Sequence, residues 1–272
     1  MSQDFILETR NLVKAFKGFT AVDDVNLKIE RGAIHALIGP NGAGKTTVFN
    51  LLTKYLTPTD GSLLYNGRDI TAMKPAAIAR AGIVRSFQIS AVFPHLSVLE
   101  NVRVALQSRE GNSFHFWKPV KVLDRLNDRA MELLADVGLA DFASARTLDL
   151  PYGRKRALEI ATTLALEPEL MLLDEPTQGM GHEDVEVVAD LIKRVSAGRT
   201  ILMVEHNLQV VSRLADRITV LQRGAVLTEG DYATVSADPR VREAYLGVAA
   251  DEPAAPQSRP ASVEALAPEA RA

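Results

Sequence analysis

The sequence predicts an α/β protein: a mostly parallel sheet core, an antiparallel β part toward the N-terminus and an inserted helical segment at roughly residues 97–165. Three observations carry the prediction. An apolar run at 33–38 leads into a glycine-rich loop and then into a second apolar run, 48–52, that continues as a helix. Beyond Glu169, short apolar runs at 171–174, 200–205 and 218–221 are separated by helical stretches, and strands alternating with helices make a parallel sheet. From residue 97 to those strands, apolar residues recur at steps of three and four, the period of amphipathic helices.

In chain order, Val25, Leu27 and Ile29 alternate with polar neighbours, as in a half-buried strand. The run 33–38 reads as a buried strand and 48–52 as helix. Within 63–70, Asn66 and Gly67 separate two short runs, a strong hairpin signal because both residues accept the positive φ of a tight turn. Residues 98–106 and 123–137 read as helices, the second stopped by Gly138. A further helix is expected over 157–165. From Ala249 onward the chain is nearly all Ala, Pro, Glu, Ser and Arg, with Pro253, Pro256, Pro260 and Pro268. Such a composition cannot bury enough apolar surface to offset its chain entropy. The expected organisation is one folded domain over 1–248 and a disordered tail over 249–272, with at most a short helix near 263–266.

Composition sets the bounds. A chain of 272 residues, 47% hydrophobic and 24% charged, supports a substantial core. A net charge of −3 offers no basic field for nucleic acid. The lack of cysteine excludes disulfides and thiolate metal sites. No apolar run reaches the ~18 residues a spanning helix needs. The start, Met1-Ser2-Gln3-Asp4-Phe5, does not read as a secretory signal, and no internal repeat is visible.

The glycine-rich loop carries the most specific chemistry. Gly39, Pro40, Asn41, Gly42, Ala43, Gly44, Lys45, Thr46 and Thr47 contain G-x-x-x-x-G-K-T, the Walker A phosphate loop. Its glycines let successive N–H groups turn toward a polyphosphate, and the following helix adds its positive dipole end. Lys45 is expected to reach the β- and γ-phosphates, and Thr46 to offer its hydroxyl to Mg²⁺. The run 170–175 reads as an apolar strand ending in two acids, Asp174 and Glu175. Ligands of parallel sheets sit outside the carboxyl ends of strands. Asp174 is thus placed to help hold the metal, and Glu175 to polarise the attacking water as a general base. His206 follows the run 201–205 directly, at the same sheet edge, where it suits a hydrogen bond to the γ-phosphate. The Asn-Lys-x-Asp guanine reader of regulatory GTPases is absent.

Leu150-Pro151-Tyr152-Gly153-Arg154-Lys155-Arg156, a helix and then the acid-tipped strand follow one another in an order that resembles the ATP-binding-cassette (ABC) ATPases, whose signature is L-S-G-G-Q. Other parts match in sequence, so the resemblance covers about residues 5–248. It implies a RecA-like core with an inserted helical subdomain, and binding of ATP with Mg²⁺. Phe16 takes the place of the aromatic A-loop residue that stacks on adenine, a contact worth about 1–3 kcal/mol. Gln88, in Phe87-Gln88, takes that of the Q-loop ligand of Mg²⁺ or the attacking water, and His206 that of the histidine switch. Gly153 belongs to the surface that covers an ATP held by the opposite subunit.

Within that superfamily, the stretch from Ser86 through Phe93-Pro94-His95-Leu96-Ser97 to Val102 is similar to ATPases of high-affinity branched-chain amino acid importers. So are Leu150 to Gly153, Asp174-Glu175-Pro176 with Gly179-Met180, and Glu243-Ala244-Tyr245-Leu246-Gly247. The resemblance implies a motor peripheral to the cytoplasmic face of the inner membrane. Its partners would be a second ATPase, two integral permeases and, indirectly, a periplasmic solute-binding protein. Related systems carry urea or amides. An envelope lipid exporter would share nearly all the motifs, and a non-transport ABC ATPase of translation or DNA repair is the remaining alternative.

Three residues depart from the superfamily pattern. Pro151 stands where Ser is usual and Tyr152 where the first Gly is usual; proline supplies neither hydroxyl nor N–H, leaving Gly153 and the helix start as donors. Gly181 stands where Asp is usual. All three fall on surfaces expected to face a partner, which suggests a heterodimer with unequal ATP sites. Lys45→Ala is predicted to weaken ATP binding and abolish turnover, checked by nucleotide titration and phosphate release; unchanged affinity would refute the loop assignment.

Overall fold

The computed structural model describes residues 4–86, 92–109 and 120–251. Two sheets organise it. The smaller is antiparallel: β1 (Phe5–Phe16) pairs with β2 (Phe19–Val25), β3 (Lys28–Glu30) and β5 (Asp60–Tyr65), and β5 pairs with β6 (Arg68–Asp69). The larger contains β4 (Ile34–Ile38), β7 (Ile83–Ser86), β8 (Leu170–Asp174), β9 (Thr200–Val204), β10 (Arg217–Gln222) and β11 (Ala225–Gly230), in the order β11-β10-β4-β9-β8-β7. All its pairings are parallel except the hairpin β10–β11. The predicted α/β class, the antiparallel N-terminal part and the mostly parallel core are therefore present.

The parallel strands are buried on both faces, which is why they read as continuous apolar runs. Ile34, Ala36 and Ile38 of β4 join Met171, Leu173, Ile201 and Met203 in one core cluster. Leu37, Leu172, Leu202 and Val204 point the other way, into a second cluster. That second core is filled by α1 (Lys45–Leu52), whose Val48, Phe49, Leu51 and Leu52 are fully buried against Ile6, Leu7 and Leu12 of β1. The helix after the phosphate loop is thus clamped between two sheets. Each such side chain contributes about 1.5–3 kcal/mol by leaving water.

The first core is covered by the helical insertion and the later helices. These are α3 (Val98–Arg109), α4 (Asn127–Asp136), α5 (Tyr152–Leu164), α6 (His182–Val195) and α7 (Leu208–Leu214). α2 (Pro75–Ala81) leads into β7; α8 (Tyr232–Ala237) and α9 (Pro239–Asp251) close the described chain.

Several expectations change in detail. Val25, Leu27 and Ile29 do not share one strand: the chain breaks between β2 and β3, with Asp24 at φ 49°. All three are nevertheless fully buried, so the alternation survives the break. The helix expected from 123 starts as a 3₁₀ turn at Val120–Leu126 and becomes α-helical at Asn127. α5 begins at Tyr152, earlier than the predicted 157. α9 runs to Asp251, past the boundary expected at 249; residues 252–272, including 263–266, lie outside the described residues. The Asn66-Gly67 hairpin forms as expected, with φ 49° and 72°.

Asn101 anchors the insertion. The Phe93 N–H donates to its Oδ1 at 2.7 Å, and its Nδ2 donates to Phe93 O, Ser97 O and Thr147 Oγ1 at 3.1, 3.0 and 2.9 Å. Ser97 and Glu100 close a capping box at the start of α3, at 2.7 and 3.2 Å. Because Asn101 is 97% buried, Asn101→Ala would leave several polar groups unmatched. We predict a loss of about 2–3 kcal/mol in urea unfolding; a change under about 0.5 kcal/mol would contradict this anchoring role.

Candidate nucleotide site

The parallel register gathers the predicted residues at one edge of the large sheet. β4 ends at Ile38 and opens into the phosphate loop; the neighbouring β9 and the next strand, β8, end beside it, with Asp174 paired to Val204. Glu175 follows the end of β8 directly, and His206 lies two residues beyond the end of β9, after Glu205.

The loop is wedged in place by close backbone approach. At Gly39 (φ +150°) a Cβ would lie 2.2 Å from Leu221 O, and at Gly44 (φ +101°) 2.5 Å from Ala21 O. No other residue fits either position, so both glycines are steric requirements. Gly44 also precedes α1, which turns its free N–H groups toward the loop. Lys45 is largely buried, and its Nζ donates to Gly39 O at 2.6 Å and Pro40 O at 3.0 Å. Burial pulls its pKa down, while Glu175 and Asp174 push it back up. Pro40 is half-buried, Ala43 buried, Asn41 and Gly42 exposed, and Thr46 exposed beside a half-buried Thr47.

The two acids are held differently. Asp174 pairs with Arg85 of β7, whose other arm donates to Asn50 of α1 at 2.7 Å. Glu175 sits at φ 45°, a conformation that non-glycine residues adopt at a cost of about 1–3 kcal/mol and that clusters at functional sites. Its N–H donates to Val204 O at 2.9 Å. His206 is exposed, with Nδ1 3.9 Å from Glu205. Phe16 ends β1 opposite Phe19, is 44% exposed and carries Lys14 Nζ 5.2 Å over its ring. The exposed ring suits stacking.

Two predicted residues stand apart. Gln88 lies outside the described residues. Gly153, in the first turn of α5, faces Asp184 rather than the phosphate loop; a Cβ there would meet Asp184 Oδ1 at 2.9 Å.

Sequence reasoning missed four residues. Arg85 was signalled by a charge inside a short apolar strand. Glu205, fully buried, accepts from Thr177 N, Thr177 Oγ1, His206 N and Asn207 N at 3.1, 2.5, 2.9 and 3.1 Å, so one carboxylate organises the loops after β8 and β9. Arg156 and Glu159, both buried, form an ion pair at 2.5 Å behind the acidic strand end, where burial pushes Glu159 up to about 7 against the pull of Arg156.

A phosphate loop clamped between two sheets, with an acid pair and a histidine at neighbouring strand ends, defines an ATP-binding cassette. The ABC transporter family model matches residues 22–178, and the chain belongs to that family of ATPases. A second model, the branched-chain amino acid ATP-binding cassette transporter, matches 225–251. The chain is 37% identical over 253 residues to the high-affinity branched-chain amino acid transport ATP-binding protein BraF of Pseudomonas aeruginosa, covering 90% of this chain and 98% of that one. It is also 37% identical to LivG of Escherichia coli K12, of the same description, over 92% and 100% of the two chains. Among solved structures, a nucleotide-free ATP-binding cassette from an ABC transporter superposes with a TM-score of 0.78 at 28% identity, covering 89% of this chain and 98% of that one. The ADP conformation of the cassette MJ1267 gives the same score and identity, covering 89% and 99%.

Glu205→Leu would strand four donors at once. It is expected to lower stability by about 3 kcal/mol or more in chemical denaturation; a variant as stable as wild type would remove Glu205 from its organising role.

Proposed function

We propose that this ATPase drives import of branched-chain amino acids, or of a related small polar solute such as urea or an amide, across a plasma membrane. The observation that carries the solute class is the match at 225–251. It falls on β11, α8 and α9, outside the Walker A loop, the acidic strand end and the histidine segment, so it does not rest on the motifs shared by all cassettes. The near full-length identity to BraF and LivG supports the same reading. No helix among the described residues is long and apolar enough to cross a membrane. Peripheral attachment to two permeases at the cytoplasmic face, opposite a periplasmic solute-binding protein, accords with that.

The residues take the following parts. Backbone N–H groups within 39–47, all but that of Pro40, cradle the phosphates, and Lys45 exchanges its loop carbonyls for phosphate oxygens. Among the described residues no three His, Cys, Asp or Glu side chains gather into a metal cage. Thr46 through its hydroxyl, Asp174 through its carboxylate and Gln88 would hold Mg²⁺ brought with the nucleotide, and the ion would supply neutralisation of phosphate charge. Glu175 accepts the proton of the attacking water, and His206 donates to the γ-phosphate. Phe16 stacks on the adenine. Gly153 and the start of α5 cover the ATP of a second ATPase; Pro151, Tyr152 and Gly181 on that surface favour a heterodimer with unequal sites.

The test uses this chain with a paralogous partner ATPase, permeases and binding protein in proteoliposomes. ATP-driven uptake of leucine is expected, with Glu175→Gln retaining ATP binding but hydrolysing several orders of magnitude more slowly. Near-normal turnover in Glu175→Gln would overturn the base assignment. Uptake of urea or an amide alone would reassign the solute within the proposed class, and lipid export would overturn the importer reading. Full cooperative turnover by the lone chain would overturn the heterodimer.

A further inference from the structure

One face of α5 is fastened to the backbone that follows β8. Tyr152 Oη donates to Gln178 O at 3.1 Å. One turn later Arg156 donates through Nε to Pro176 O at 3.1 Å and through Nη2 to Asp174 O at 3.0 Å. Its Nη1 goes to Glu159 at 2.5 Å. The accepting carbonyls belong to 174, 176 and 178, alternate residues that straddle Glu175 and the turn beyond it.

The seating of α5 does not rest on this arrangement alone. α5 already buries Ala157, Leu158, Ile160 and Ala161 against the core. A buried ion pair adds little to that, since desolvation offsets most of its attraction. What a planar guanidinium adds is direction: two of its donors fix two carbonyls on either side of one residue. That residue, Glu175, sits at φ 45° and needs its surroundings to hold it there. The same helix presents Gly153 in its first turn.

We propose that Arg156 is a positioning residue for ATP cleavage: it sets Glu175 through the Asp174 and Pro176 carbonyls and ties that setting to the α5 surface facing the partner subunit. The inference rests on the reading of Glu175 as the water-activating acid. Nucleotide binding, which uses the phosphate loop, is left untouched, so losing Arg156 acts on kcat and not on affinity.

The experiment measures Mg-ATP affinity, KM and kcat for the full chain in its assembled transporter. Arg156→Met with Glu159→Leu removes the buried charges together and keeps the helix packed, so folding is retained even where Arg156→Met alone leaves Glu159 stranded. The double variant is expected to bind ATP within threefold of wild type, with kcat at least tenfold lower. Glu159→Gln, which leaves the carbonyl contacts in place, is expected to keep kcat within threefold; Arg156→Lys, with one point donor, should recover part of the loss. Unchanged kcat in the folded double variant, alongside a slow Glu175→Gln, would overturn the inference and leave the ATPase reading intact. A kcat loss in Glu159→Gln equal to that of the double variant would assign the effect to the ion pair and also overturn it. Normal turnover in Glu175→Gln would remove the reading on which the inference stands.

Discussion

The constraint on which the rest depends is the close passage of three backbone segments at the phosphate loop. Leu221 O at the end of β10 and Ala21 O of β2 stand where side chains at 39 and 44 would be. The loop is therefore pinned from the large sheet on one side and from the small sheet on the other. α1 continues that clamp, burying Phe49 and its neighbours between the same two layers. A phosphate cradle needs N–H groups held still before the ligand arrives, and steric confinement supplies this, with the Lys45 ammonium bound to the Gly39 and Pro40 carbonyls.

The register of the parallel strands then delivers the other groups. Because β4, β9 and β8 are neighbours running the same way, whatever follows their last residues meets at one rim. Polar side chains behind that rim refine the positions: Arg85 on Asp174, Glu205 beneath His206 and Thr177, Arg156 behind the acidic strand end. The apolar layers decide which elements meet, and this buried polar layer decides the angles at which they meet.

Much of this was legible in the amino-acid order. The phosphate loop, the apolar strands and the residues after them carry short-range patterns, and the topology follows from strands alternating with helices. Val25, Leu27 and Ile29 show where pattern misleads: burial persisted across a break between Val25 and Lys28 that alternation cannot reveal. The 3₁₀ start at Val120–Leu126 is hidden for a similar reason, because apolar spacing at three residues serves either helix type. Arg156 and Glu205 escaped because each bonds groups remote in sequence, Arg156 the Asp174 and Pro176 carbonyls and Glu205 the Thr177 amide and hydroxyl. Nothing periodic marks a side chain whose partner is a carbonyl 18 residues away.

Glu205 has a further implication for how this chain varies over time. One carboxylate receives the amides of two loops that belong to different strands, so neither loop can lengthen, shorten or reorient by itself without leaving a donor buried and unmatched. Change at the rim must be concerted or absent. Diversification of a transporter built on such a motor is thereby channelled away from the engine, toward the membrane subunits and the exposed flanks of the cassette, where substitutions cost little.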